Sequence, residues 1–149
     1  MDPVISEIPK SEMVRIRSLW EELNRIHLQD SIYFKDHYRT FAFEDRVRDF
    51  DGVPEDDFKL SIVTNGDEAL GYCLSSIHGK KGEIESLFLA EKIRKENFGK
   101  TLVDRHLEWF KQRKCGRVIV TVSYGHDSVL GFYHKMGFFE RLIQLDYKF

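Results

Sequence analysis

Two glutamates and a basic loop carry the chemistry this sequence can offer. Glu83 and Glu85 stand two residues apart in Glu83–Leu89, a run that predicts a strand. Alternation along a strand puts both carboxylates on one face. Just downstream the chain reads Arg94-Lys95-Glu96-Asn97-Phe98-Gly99-Lys100-Thr101 and opens an amphipathic stretch. A loop at a helix N-terminus presents unpaired backbone N–H groups at the positive end of the helix dipole, which suits phosphate. A phosphate cradle beside a candidate general base points to an enzyme that holds a phosphorylated cofactor against a proton-bearing substrate. An amine substrate is protonated at neutral pH and must lose a proton before it attacks. A carboxylate with a raised pKa takes that proton directly or through water.

The elements that must position these groups follow from hydrophobic spacing. Lys100–Arg113 carries the stripe Leu102, Val103, His106, Leu107 and Phe110 and reads as a helix. Upstream of the glutamates, Phe58–Thr64 and Ala69–Ile77 flank Asn65-Gly66 and predict a hairpin, and Gly79-Lys80-Lys81-Gly82 turns the chain into Glu83–Leu89. Arg117–Ser123 is β-branched and apolar, as a buried parallel strand should be. A short helix is expected over about 127–135, ended by Gly137, and the alternation of Phe139–Phe149 predicts a strand that closes the sheet. At the other end, Ser11 suggests an N-cap for a helix through Met13, Ile16, Leu19, Trp20, Leu23 and Ile26, and a second helix is expected over about 34–50. The order α-α-β-β-β-α-β-α-β predicts an α/β (α+β) mixed sheet with helices on both faces, in one domain over residues 1–149.

Composition narrows the classes. The 149 residues are 42% hydrophobic and 32% charged, with twelve Phe, which fits a globular protein with a well-filled core and argues against disorder. The net charge of −2 gives no electrostatic case for nucleic acid. Residues 1–60 carry 14 acidic and 9 basic side chains, and residues 61–149 carry 11 and 14, so an acidic half adjoins a basic one. No apolar run reaches membrane-spanning length and no signal-peptide pattern opens the chain. Cys73 and Cys115 are expected to be free thiols in a cytoplasmic protein, and the six histidines show no metal-ligand spacing.

Element order and motifs together resemble the GNAT (GCN5-related) N-acetyltransferase family, most strongly over residues 83–138. The family's loop Q/R-x-x-G-x-G/A is matched by Arg94 and Gly99, with Asn97 at the first glycine position, and Asn tolerates a left-handed backbone better than most residues. Gly131-Phe132-Tyr133-His134-Lys135-Met136-Gly137-Phe138 is similar to the family segment F-Y-x-K-x-G-F. His126 stands where the family often has a cofactor-contacting Asn.

The resemblance implies a GNAT-like acyl-CoA N-acyltransferase fold and transfer of acetyl from acetyl-CoA to a primary amine, by direct attack in a ternary complex. It implies Glu83 or Glu85 as base, and Glu85 is favoured because it lies nearer the point where the strands should part around the cofactor. It implies Tyr133 as the acid that protonates the departing thiolate, and a backbone N–H near Leu87, Phe88 and Leu89 as oxyanion donor. The loop Arg94, Lys95, Glu96, Asn97, Phe98, Gly99, Lys100 and Thr101, with His126, would hold the cofactor. The first two helices would shape the acceptor pocket from Trp20, Asn24, His27, Tyr33, Phe34, Tyr38 and Phe43, together with the acidic run Glu44–Asp57; aromatics plus acid suit a small cationic amine. The partners expected are a small-molecule amine and CoA, with a homodimer allowed, and neither nucleic acid nor membrane. Two other readings stand beside this one. A non-catalytic acyl-CoA-binding module is permitted by Asn97 and His126, and a P-loop-like nucleotide phosphotransferase by Gly99-Lys100-Thr101.

Overall fold

The computed structural model describes residues 2–149. Five strands form one sheet in the order β1 (Val4–Ile8), β2 (Phe58–Asn65), β3 (Glu68–His78), β4 (Lys81–Leu89) and β5 (Arg117–Val120). The first four are antiparallel neighbours and β5 runs parallel to β4. The two expected turns are present. Gly66 and Gly79 take φ of +62° and +66°, backbone that glycine adopts without strain.

Alternation along β2 and β3 splits their side chains between two cores. Leu60, Ile62, Tyr72 and Leu74 face α1 (Arg17–Asp30) and pack with Met13, Ile16, Leu19, Trp20, Phe43 and Phe50. Val63, Leu70, Cys73 and Ile77 face α4 (Phe98–Gln112) and pack with Leu102, Val103 and Phe110. Helices thus cover both faces, as expected. One polar group is set into the α4 side. The buried His106 ring meets Ser61 Oγ at 2.9 Å through Nε2 and Ser75 Oγ at 2.7 Å through Nδ1, which satisfies both ring nitrogens. Burial pushes its pKa down to about 3, so the ring is neutral.

Three expectations are corrected. The chain enters through strand β1 before its first helix. The helix expected over 34–50 is two helices of one to two turns, α2 (Lys35–Thr40) and α3 (Phe43–Arg48). They break at Phe41, where the Asn24 amide donates to the carbonyls of Tyr38 and Phe41 at 2.9 and 3.5 Å. Residues 139–149 form no strand of this sheet: they follow α5 (Asp127–Lys135) as an exposed arm without regular secondary structure.

Candidate active site

β4 and β5 pair only as far as Ile84 and Val120. Beyond that point they part, and the candidate site is built at the parting. There β4 carries a bulge. Its register against β3 passes from Leu74↔Ser86 to Ser75↔Ile84, leaving Glu85 as the extra residue. A bulge resets the side-chain alternation. Ile84 and Leu87 belong to the α4-side core, whereas Phe88 belongs to the α1 side. Glu85 and Ser86 therefore both turn toward α1, where Ser86 Oγ meets Tyr72 Oη at 2.6 Å. Glu83 lies opposite Ser76, whose hydroxyl reaches Glu85, so both glutamates share the α1 face.

Their contacts distinguish the two. Glu85 Oε2 accepts from Ser76 Oγ at 2.5 Å, and Oε1 accepts from Arg46 Nη2 at 3.2 Å. The same guanidinium nitrogen also donates to the Glu85 carbonyl at 3.1 Å. This pair is enclosed, with side-chain exposures of 17% for Arg46 and 13% for Glu85. Among the described residues, nothing hydrogen-bonds the Glu83 carboxyl. Its pKa is raised, first by burial and then by the charge of Glu85. Both oxygens of Glu85 are committed to donors while those of Glu83 are free, the reverse of the preference drawn from position on the strand.

Further along β4, the Ala90 amide donates to the Leu70 carbonyl on the β3 side. Alternation then turns the backbone polar groups of Leu87 and Leu89 away from β3, toward the gap left by β5. Phe88 packs inward on the α1 side.

The loop that follows is closed by a helix cap. Asn97 is the N-cap of α4 with φ of +62°, the left-handed conformation expected of the residue at the first glycine position. Among the described residues, the amides of Asn97, Phe98, Gly99 and Lys100 meet no acceptor, and the first helical hydrogen bond runs from Thr101 N–H to Asn97 O. Of the loop cations, Lys95 is exposed with no side-chain partner. Arg94 turns back, donating from Nε to the Leu89 carbonyl at 2.9 Å and lying over the Phe88 ring, and Lys100 pairs with Asp104 at 2.6 Å. Glu96 and Thr101 are exposed at the rim, and Phe98 packs into the α4-side core. Gly99 is buried, and a Cβ there would stand 3.4 Å from Leu89 and Phe132. It lies within α4 and serves close packing, so Gly99-Lys100-Thr101 is not the turn of a phosphate-wrapping P-loop.

Tyr133 on α5 is 5% exposed, edge-to-face with Phe132 and Phe138, and its hydroxyl makes no side-chain hydrogen bond among the described residues. Burial raises its pKa, so the phenol keeps its proton.

The family model of the "Acetyltransferase (GNAT) family" matches residues 17–138. The chain belongs to the GNAT acetyltransferase family. Solved structures share the fold. A point mutant of the BH1408 protein from Bacillus halodurans superposes with a TM-score of 0.76 at 13% identity, over 98% of this chain and 99% of that one. The aminoglycoside N-acetyltransferase AAC(6')-Iy in complex with CoA superposes with a TM-score of 0.72 at 15% identity, over 99% and 94%. The same enzyme with the bisubstrate analogue CoA-S-monomethyl-acetylneamine gives 0.73 at 15%, over 99% and 98%. No curated protein sequence matches the chain.

As a GNAT member the chain is an acetyl-CoA-dependent N-acetyltransferase. The residues present fit that co-substrate. Four unpartnered amides and Lys95 suit a diphosphate, and the gap beside Leu87 and Leu89 leaves backbone donors unpaired.

Several expected acceptor residues are structural instead. Trp20 and Phe43 are buried against each other, and Asn24 ties down α2. His27 stacks on His126 with centroids 5.0 Å apart, and His126 Nε2 lies 3.1 Å from Asp30 Oδ2, so His126 turns toward α1. Burial, then the neighbouring His126, pushes His27 down to about 4. Tyr38 Oη meets Ser123 Oγ at 3.1 Å, and the exposed rings of Tyr33 and Tyr124 stack. Arg46, Ser76 and Ser123 carried no sequence signal, because each acquires its place only through contacts between distant segments.

Proposed function

We propose that this GNAT enzyme acetylates a primary amine of a small molecule by direct attack within a ternary complex. One observation carries the reading: the paired carboxylates Glu83 and Glu85 sit on the α1 face at the point where β4 and β5 part. Acetyl-CoA, when bound, supplies the acetyl group as a thioester. Glu83 takes the proton from the acceptor ammonium, directly or through water, since its carboxyl is unpartnered and its pKa raised. Glu85, fixed by Arg46 and Ser76, holds a fixed negative charge beside it. The outward amide of Leu87 or Leu89 donates to the developing oxyanion. Tyr133 holds the proton that the departing thiolate requires. Stacked Tyr33 and Tyr124, with Asp30 nearby on α1, suit a cationic acceptor, and the aminoglycoside enzyme of like fold was solved with an acetylneamine analogue.

The test is thiol release from acetyl-CoA across a panel of aminoglycosides, polyamines and lysine peptides. Saturable turnover with an aminoglycoside or polyamine is expected. Turnover with peptides alone would move the acceptor class to proteins. Acetyl-CoA binding without thiol release from any amine would leave an acyl-CoA-binding module and overturn the proposal.

A further inference from the structure

β3 ends in a histidine that the acetyl transfer described above does not use. Tyr72 and Leu74 face α1, so alternation puts Ser76 and His78 on that face too. Ser76 stands opposite Glu83 and His78 opposite Lys81, which brings the end of β3 alongside the carboxylate pair. Ser76 is fully buried and His78 is exposed. His78 Nε2 lies 3.2 Å from Ser76 Oγ, and Ser76 Oγ lies 2.5 Å from Glu85 Oε2. A three-membered chain thus runs from the enclosed carboxyl of Glu85, through a buried hydroxyl, to an imidazole at the surface.

Donor counting gives the chain one direction. An ionised carboxylate only accepts, so the single proton of the Ser76 hydroxyl is spent on Glu85. Ser76 Oγ then offers the imidazole nothing but lone pairs, and His78 must carry a proton on Nε2 and donate it. Among the described residues, no other side chain meets Ser76 Oγ. Without His78 the buried hydroxyl would have its acceptor side unfilled and would be free to turn away from Glu85. Donation from His78 also polarises the Ser76 O–H and strengthens its bond to the carboxylate. The geometry assigns His78 as a positioning residue for the carboxylate pair: its Nε2–H, acting through Ser76, keeps Glu85 ionised and aimed beside Glu83.

The charges around the pair fit this role. Burial raises the pKa of Glu83, the charge of Glu85 raises it further, and Lys81, Arg46 and His78 oppose the rise. Glu85 is held by two donors of different kinds. Arg46 brings a permanent charge to Oε1, whereas Ser76 brings to Oε2 a neutral hydroxyl whose direction depends on what stands behind it. His78 is what stands behind it, and among the described residues it forms no ion pair that would draw it elsewhere.

Since this role rests on the carboxylate pair being the base, its test includes a readout that needs no turnover. The side-chain carboxyl carbon of Glu85 is followed against pH by carbon-13 NMR in the full chain. Ser76→Ala should move its titration to higher pH by about one unit, because a hydrogen bond to the charged form is lost. His78→Leu should move it the same way, and His78→Gln, which keeps an N–H donor, should recover part of that shift. In a Ser76→Ala background, Leu and Gln at position 78 should be indistinguishable, since the hydroxyl that tells them apart is gone. The acidic limb of kcat/KM for thiol release should separate and merge the same variants, with acetyl-CoA affinity unchanged. Titrations that match the wild type in both His78 variants overturn the assignment. So does a Leu–Gln difference that persists without the Ser76 hydroxyl. Wild-type turnover in Glu83→Gln with these titrations intact would instead fail the base reading, which keeps the two failures apart.

Discussion

If Glu83 is the proton acceptor, its pKa sets the acidic limb of the pH–rate profile, and its neighbours set that pKa. Glu83→Gln keeps size and hydrogen bonding but removes basicity. The expected loss in kcat is about 10²–10⁴-fold, the usual worth of a positioned base, equivalent to about 3–5 kcal/mol of barrier. The neighbours act in opposite directions. Glu85 lies two residues away on the same face, about 7 Å along the strand, and its charge disfavours a second carboxylate there. Glu85→Gln should therefore shift the acidic limb of kcat/KM to lower pH while leaving substantial activity. Arg46 favours the ionised form of Glu83, so Arg46→Gln should shift the limb to higher pH. It should also lower stability by about 1–3 kcal/mol, because Glu85 loses a partner in an enclosed site. The assay is thiol release against pH at saturating and limiting amine, with urea unfolding as a stability control. Wild-type activity in Glu83→Gln would refute the assignment. Loss of activity in Glu85→Gln alone would move the base two residues down the strand. Limbs that shift in the same direction in Glu85→Gln and Arg46→Gln would refute the electrostatic reasoning.

Three further outcomes follow from the geometry. Tyr133→Phe keeps the buried ring but removes the proton, so kcat should fall by about 10²-fold with acetyl-CoA affinity unchanged, as checked by steady-state kinetics and calorimetric titration. Gly99→Val should cost about 1–3 kcal/mol in urea unfolding and weaken acetyl-CoA binding, since its branches overlap Leu89 and Phe132, whereas Gly99→Ala, whose Cβ stands at ordinary contact distance, should retain both. His106, held neutral with a folded pKa of about 3, cannot follow the unfolded chain when that chain's histidine protonates below about pH 6.5. Stability should fall by about 2 kcal/mol from pH 7 to pH 5 on this account, and chemical denaturation of His106→Gln should show a pH dependence smaller by that amount.

What could be read from the sequence was local. Asn97 was legible because left-handed backbone is a property of one residue, and the helix it caps because Leu102, Val103, His106 and Phe110 recur on one face. The Asn65-Gly66 and Gly79-Lys80 turns were legible for the same reason, since their conformations are chosen by the residues within them. β1 was not, because five residues at a sheet edge, mostly exposed, carry too little alternation to outweigh the helical pattern that follows. The break between α2 and α3 was hidden because Asn24, distant in sequence, imposes it. The arm 139–149 read as a strand because its alternation is a strand's, but alternation alone does not supply a neighbouring strand, and none pairs with it in this sheet.

The carboxylate pair shows where such reading stops. Strict alternation puts Glu83 and Glu85 on one face, which is correct, and also puts Leu87 and Leu89 on that face, which is not. The bulge at Glu85 separates them, sending the acids toward α1 and the leucines toward α4. Without it, either the acids would be buried beneath α4 or the leucines would stand exposed toward the acceptor side. No residue within β4 announces the bulge. It becomes visible only when the register against β3 is known, and its consequence only when Arg46, 39 residues away, is seen to hold the extra residue by both its carbonyl and its carboxylate. The reacting groups are a local signal, but the geometry that gives two like residues unlike roles is made by contacts between segments.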